Sequence, residues 1–121
     1  MRISRIMTAT AVFLTLAGFT APQPRYVVTY SVTVADVEQA SGQVMMMENG
    51  DARVERSDDD GGFAFNATLY PAEEGLVLKT DLWRGDVKIA EPTLRLARGG
   101  VAKMAVGQDQ QRVVVEIAPA D

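Results

Sequence analysis

After residue 25, apolar and polar residues alternate along almost the whole chain. Tyr26, Val28, Tyr30, Val32 and Val34 fall on one side of an extended segment, and Val27, Thr29, Ser31 and Thr33 on the other. A period of two in β-branched and aromatic residues predicts a strand with one buried face. The same pattern predicts a strand at Val44 and Met46. Another carries Ala52 and Val54 inward with Arg53 and Glu55 outward. Asn49-Gly50 between them suits the positive φ values of a tight hairpin. Further strands are expected at Phe63, Phe65, Ala67 and Leu69, ended by Pro71, and at Leu76, Leu78, Thr80 and Leu82. Val87 and Ile89 begin a segment that Pro92 interrupts. Leu94 and Leu96 lead to Gly99-Gly100, from which Ala102, Met104 and Val106 return as an inward set. Val113, Val115 and Ile117 close the pattern. A helical turn is expected only over Ala35 to Ala40. The fold class is all-β: an antiparallel sandwich or open barrel of about seven or eight strands.

The strands also repeat. Val44, Met46, Gly50, Ala52, Val54 and Arg56 recur fifty positions on as Leu94, Leu96, Gly100, Ala102, Met104 and Val106. After a loop shorter by two, Phe65, Ala67, Leu69 and Pro71 recur as Val113, Val115, Ile117 and Pro119. Repeat units of about 42–71 and 92–119 are therefore expected within a β domain spanning 25–119. One hairpin alone buries too little to stand, whereas two stacked units share a core.

The N-terminus follows a different pattern. Arg2 and Arg5 precede an apolar stretch from about Ile6 to Phe19, and no acidic residue occurs before Asp36. This is the pattern of a secretory signal helix, too short for the ~20 residues that span a bilayer core. Residues 1–21 are assigned to the signal peptide and a short linker, with cleavage after Ala17, because Thr15 and Ala17 are small residues where the peptidase requires them. Stable membrane insertion after cleavage is not expected. The chain has no cysteine to accept a lipid or form a disulfide. Together with the short leader, this suits a bacterial periplasm, or secretion, better than a eukaryotic extracellular space.

Charge narrows the function. Loss of Arg2 and Arg5 with the leader takes the 12 basic residues to 10 against 16 acidic, a net of −6. Such a chain has no electrostatic reason to bind nucleic acid or an anionic membrane. It also has no histidine. The usual general base, zinc ligands and thiol nucleophile are thus missing, and neither an enzyme nor a cofactor is expected.

The strand–turn pattern resembles a known type. Pro92 to Gly107 reads P-T-L-R-L-A-R-G-G-V-A-K-M-A-V-G, and Phe65 to Leu82 reads F-N-A-T-L-Y-P-A-E-E-G-L-V-L-K-T-D-L. These segments are similar to the hairpins of secretin-type proteins of bacterial secretion and pilus systems. The chain is too short for a secretin channel domain and has no separate ring-forming domains. Its first unit has Gly42 where the second has Pro92, and Arg56 where the second has Val106. The resemblance implies a small periplasmic β-protein that uses the same hairpin, not a pore.

Few candidate sites emerge. Asp58-Asp59-Asp60-Gly61-Gly62 could wrap a hard cation, with Asp58 and Asp60 as ligands, although the spacing of an EF-hand loop is absent. Met45-Met46-Met47 could suggest soft-metal ligation, but successive strand residues point to opposite faces and cannot converge. Arg53, Arg56, Trp83 and Arg84 are the candidates for a protein-contact surface, since tryptophan and arginine dominate such contacts. The function expected is a non-catalytic exported module acting by contact with an envelope partner, accessory to a secretion or pilus system. The alternative is an ion- or small-ligand-binding periplasmic protein that uses the acidic loop 58–62.

Overall fold

The computed structural model describes residues 24–57 and 61–120. Its strands are β1 (Tyr26–Val34), β2 (Val37–Met46), β3 (Gly50–Arg56), β4 (Phe63–Ala72), β5 (Gly75–Arg84), β6 (Val87–Ala90), β7 (Thr93–Leu96), β8 (Ala102–Gln108) and β9 (Gln111–Pro119). They form two antiparallel sheets. Sheet I has the order β2-β1-β9-β8; sheet II has the order β3-β4-β5-β6, with β7 also paired to β5. The all-β class holds among the described residues. The signal helix expected within 1–21 lies outside them.

The inward faces of the two sheets make one core. Sheet I contributes Tyr26, Val28, Tyr30, Val32, Val113, Val115 and Ile117, and sheet II contributes Phe63, Phe65, Leu69, Leu76, Leu78, Leu82 and Leu94. The period of two places each of these on one side of its strand. Tyr30 of β1 and Phe65 of β4 stack across the sandwich, with centroids 4.5 Å apart and planes inclined by 17°.

Three sequence expectations need correction. Ala35 to Ala40 holds no helical turn. Ala35 and Asp36, with φ of 51° and 65°, make a two-residue reversal, and β2 begins at Val37. Positive φ at both central positions is the hairpin geometry that matches strand twist. Pro71 does not end its strand, because it lies within β4 opposite Leu76. Asn49-Gly50 turns the chain but joins no paired strands, since β2 belongs to sheet I and β3 to sheet II. The Gly50 N–H donates to the Met47 carbonyl at 3.0 Å, while the Asn49 N–H donates to Leu69 of β4 at 2.7 Å. That second bond anchors the turn on sheet II and makes it a corner between sheets. The turn at Gly99-Gly100 likewise crosses from sheet II to sheet I, closed by Gly100 N–H to the Ala97 carbonyl at 2.8 Å.

Strand pairing in the two sheets follows one scheme. In sheet I, Tyr26 faces Met46, Val28 faces Val44, Val32 faces Ala40 and, past a bulge, Thr33 faces Glu38. In sheet II, Leu76 faces Leu96, Leu78 faces Leu94, Leu82 faces Ala90 and, past a bulge, Trp83 faces Lys88. Each number of the second set is fifty above its counterpart. The sheets differ midway. Tyr30 faces Gly42, and a Cβ on Gly42 would lie 2.8 Å from Tyr30 Cε1, so the ring rests on the glycine. Fifty positions on, Pro92 divides β6 from β7, and its carbonyl accepts both the Thr80 N–H (3.1 Å) and the Thr80 hydroxyl (2.7 Å). A proline breaks a ladder because it has no N–H to donate. The compact Thr80 is bonded there, whereas Tyr30 lies over glycine. The two corners are also joined: Arg98 donates to both carboxylate oxygens of Glu48, at 2.9 and 3.1 Å.

Candidate functional site

A polar file crosses the outer face of sheet II. Arg53, Asn66 and Asp81 stand opposite one another on β3, β4 and β5. Directly opposed residues point to the same face, so their side chains can link. Arg53 donates to Asn66 Oδ1 at 2.9 Å and to Glu55 at 2.7 Å. Asn66 donates to Asp81 Oδ1 at 2.7 Å, and Trp83 Nε1–H donates to that same oxygen at 2.9 Å. Lys88 lies over the Trp83 ring, 5.5 Å from its centroid, and pairs with Glu91 at 2.9 Å. The bond to Glu91 holds the ammonium pKa above the usual lysine value. Trp83 is therefore oriented by Asp81 at its edge and Lys88 on its face.

The four contact candidates do not form one patch. Arg53 and Trp83 share the outer face, but Arg56 and Arg84 flank the buried Phe63 in register and thus lie on the core-facing side at the sheet's end. The Arg84 guanidinium sits 5.1 Å from the Phe63 ring centroid. Burial holds the Tyr30 hydroxyl above the usual tyrosine range, opposed in part by the Arg56 charge. Asp58 and Asp60 lie outside the described residues. Among the described residues no group of three or more His, Cys, Asp or Glu side chains could hold a metal ion. The three methionines separate as strand geometry requires. Met46 is buried, and Met45 and Met47 are exposed.

The strand edges distinguish the two sheets, a feature the sequence reading missed. An unguarded edge offers unpaired N–H and C=O groups to another strand, and proteins block such edges with charges, prolines or breaks. Both edges of sheet II are blocked in this way. β3 carries Asp51, Arg53, Glu55 and Arg56 within seven residues, and the opposite edge is split at Glu91-Pro92 between two four-residue strands. The edges of sheet I are long and nearly uncharged: β2 has only Glu38 in ten residues, and β8 only Lys103 in seven. Met104 and Val106, expected to be inward core residues, are 37% and 36% exposed. They do face inward in register with Val115 and Val113, but on the outermost strand, where coverage ends. Val101 beside them, Val37 and Met45 on β2, and Met47 just past its end are exposed as well. Charge density could have signalled this, because positions 51–56 are heavily charged and their counterparts at 101–106 are not.

No family model, curated protein or solved structure matches this chain.

Proposed function

We propose that the chain is a non-catalytic, exported β-module of the bacterial envelope that works by protein contact through the free edges of sheet I, accessory to an assembly of secretion or pilus type. The observation that carries this reading is the contrast between the edges. Charges and breaks guard both edges of sheet II, while β2 and β8 of sheet I present long, almost uncharged edges with exposed apolar side chains. Adding a strand to such an edge gives affinity through main-chain bonds and specificity through alternate side chains. The basic, apolar leader supports export, and the secretin-like hairpins support the setting. The fifty-residue recurrence of the strand pairs further supports descent from two copies of one strand–corner–strand unit.

Site-specific photo-cross-linking in the producing bacterium tests this. A photoreactive residue at Met45 on β2 should give an adduct with another exported protein. One at Gln108 on β8 should give an adduct with an exported chain, whether a different protein or a second copy, and one at Glu55 or Lys88 on sheet II should give none. Adducts confined to the sheet II positions, or none at all, would overturn the edge-contact reading.

A further inference from the structure

We infer that the free edge of β8 pairs with β8 of a second copy of this chain, antiparallel about a twofold axis at Ala105. The inference rests on the edge-contact reading above and names the partner at one of the two edges.

The register makes β8 complementary to itself. Ala105 is the midpoint of Ala102–Gln108, so an axis there pairs all seven residues. Met104 then faces Val106 of the second copy, Lys103 faces Gly107, and Ala102 faces Gln108. Within one copy Met104 already faces Val115, and Val106 faces Val113. The inward side would therefore carry two unbroken apolar rows across the axis: valine, methionine, valine, valine, and the reverse. These rows cover the two inward side chains that the sandwich leaves exposed. On the outward side, the edge's one charged residue, Lys103, has Glu116 opposite it on β9 and meets a glycine across the axis, so no like charges are opposed. Ala105 meets Ala105, a small pair that lets the strands approach.

Other registers fit worse. A slip by one residue would set inward side chains against outward ones, because the side-chain period is two. An axis at Val106 sets Met104 against Gln108 and leaves Ala102 and Lys103 outside the paired strand. An axis at Met104 leaves Gly107 and Gln108 outside it. With the axis at Ala105, sheet I becomes a continuous sheet of eight strands ending in β2 on both sides. That leaves the β2 edges for the envelope partner. A seven-residue edge falls short of the ~1,200 Å² typical of lasting interfaces, so the dimer should be reversible.

The natural absence of cysteine makes covalent trapping clean. Purified full-length mature chain carrying Ala105→Cys should form a disulfide-linked dimer under mild oxidation. Paired strands bring opposed Cα atoms to ~4.5–5.5 Å, within disulfide reach. Lys103→Cys and Gly107→Cys should each cross-link poorly alone, being about 13 Å from their own copies along the strand. An equimolar mixture of the two should give the heterodimer. The added side chain at Gly107 has room, with 3.6 Å to its nearest neighbour. Val87→Cys on β6, which is 63% exposed, sets the rate of random collision. Dimer yields for Ala105→Cys and for the mixture that are at least tenfold above that control would support the axis. Yields equal to the control, or equal among all β8 positions, would overturn it. That failure would leave edge contact standing if photo-adducts still arise from Met45, whereas loss of those adducts overturns the edge reading itself.

Discussion

The Tyr30–Phe65 stack offers the sharpest test of how the two sheets are held together. Both rings are buried, 3% and 1% exposed, and they bridge β1 to β4 at 4.5 Å. Tyr30→Leu and Phe65→Leu each remove part of an aromatic side chain and should each cost about 1–2 kcal/mol, below the ~3–5 kcal/mol of a full aromatic truncation. Stacked aromatics contribute ~0.5–1.5 kcal/mol beyond their buried area, so the double variant should be less destabilised than the sum by about 1 kcal/mol. Gly42 adds a second test of the same geometry. A Cβ there would meet Tyr30 Cε1 at 2.8 Å, and the ring cannot swing away while Phe65 stacks on it. Gly42→Ala should therefore cost about 1–3 kcal/mol in the natural background, as overpacking does. With Tyr30→Leu the obstructing ring atom is gone, and the same change should stabilise by ~0.5 kcal/mol because glycine weakens a strand interior. Urea denaturation followed by the single tryptophan, Trp83, reads all of this. With a slope of ~1–2 kcal/mol per molar, 1 kcal/mol moves the midpoint by ~0.5–1 M. Additivity of the two leucine variants, or an equal cost of Gly42→Ala in both backgrounds, would refute the packing argument.

Three further outcomes follow from the same contacts. Burial raises the Tyr30 pKa above that of the unfolded chain. The unfolded chain therefore loses its proton first, and stability should be unaffected below about pH 10 and decline as pH rises through the folded value. Tyr30→Phe should remove that part of the alkaline loss, and an unchanged alkaline denaturation curve would contradict it. Replacing Asp81 with Ala strips the shared acceptor from Asn66 and Trp83, so it should cost about 1–3 kcal/mol and shift Trp83 emission; an unaltered spectrum would argue against the bond that orients the ring. Arg98→Ala should cost about 0.2–1 kcal/mol, since Arg98 is half exposed, with the loss shrinking at high salt; a salt-independent effect would mean the corners are not joined by charge.

Much of this fold was legible because strand periodicity is local. The inward set of β1, from Tyr26 to Val32, and that of β9, from Val113 to Ile117, are buried as the alternation implied. What the alternation could not convey was which strands share a sheet. Asn49-Gly50 has the chemistry of a hairpin turn, and its local turn does close on Met47. Whether the next strand returns to the same sheet depends on the Asn49 bond to Leu69, twenty residues away. The same limit explains β8. Met104 and Val106 alternate as core residues do, but exposure depends on whether sheet II extends over the outermost strand, which no local pattern records. The contact candidates failed to converge for a related reason. Arg53 and Trp83 have the outward parity of β3 and β5, whereas Arg56 and Arg84 have the inward parity, so periodicity alone already separates the pairs.

The departures from the fifty-residue scheme fall mainly on strand edges, and this bears on function. In the central strands Tyr30 and Thr80 differ, but the other inward counterparts keep their character: Val28 and Leu78, Val32 and Leu82, Leu69 and Ile117 are all buried. On the edges they diverge. The uninterrupted β2, with Gly42 at its middle, corresponds to an edge broken at Pro92. The four charges of β3 correspond to the single lysine of β8. In both comparisons the blocked edge belongs to sheet II and the open one to sheet I. Stability alone does not require this arrangement, because an open edge risks unwanted strand addition and a few charges would close it at little cost. One sheet guarded on both sides and the other open on both is the arrangement expected if strand addition to sheet I is what the protein does.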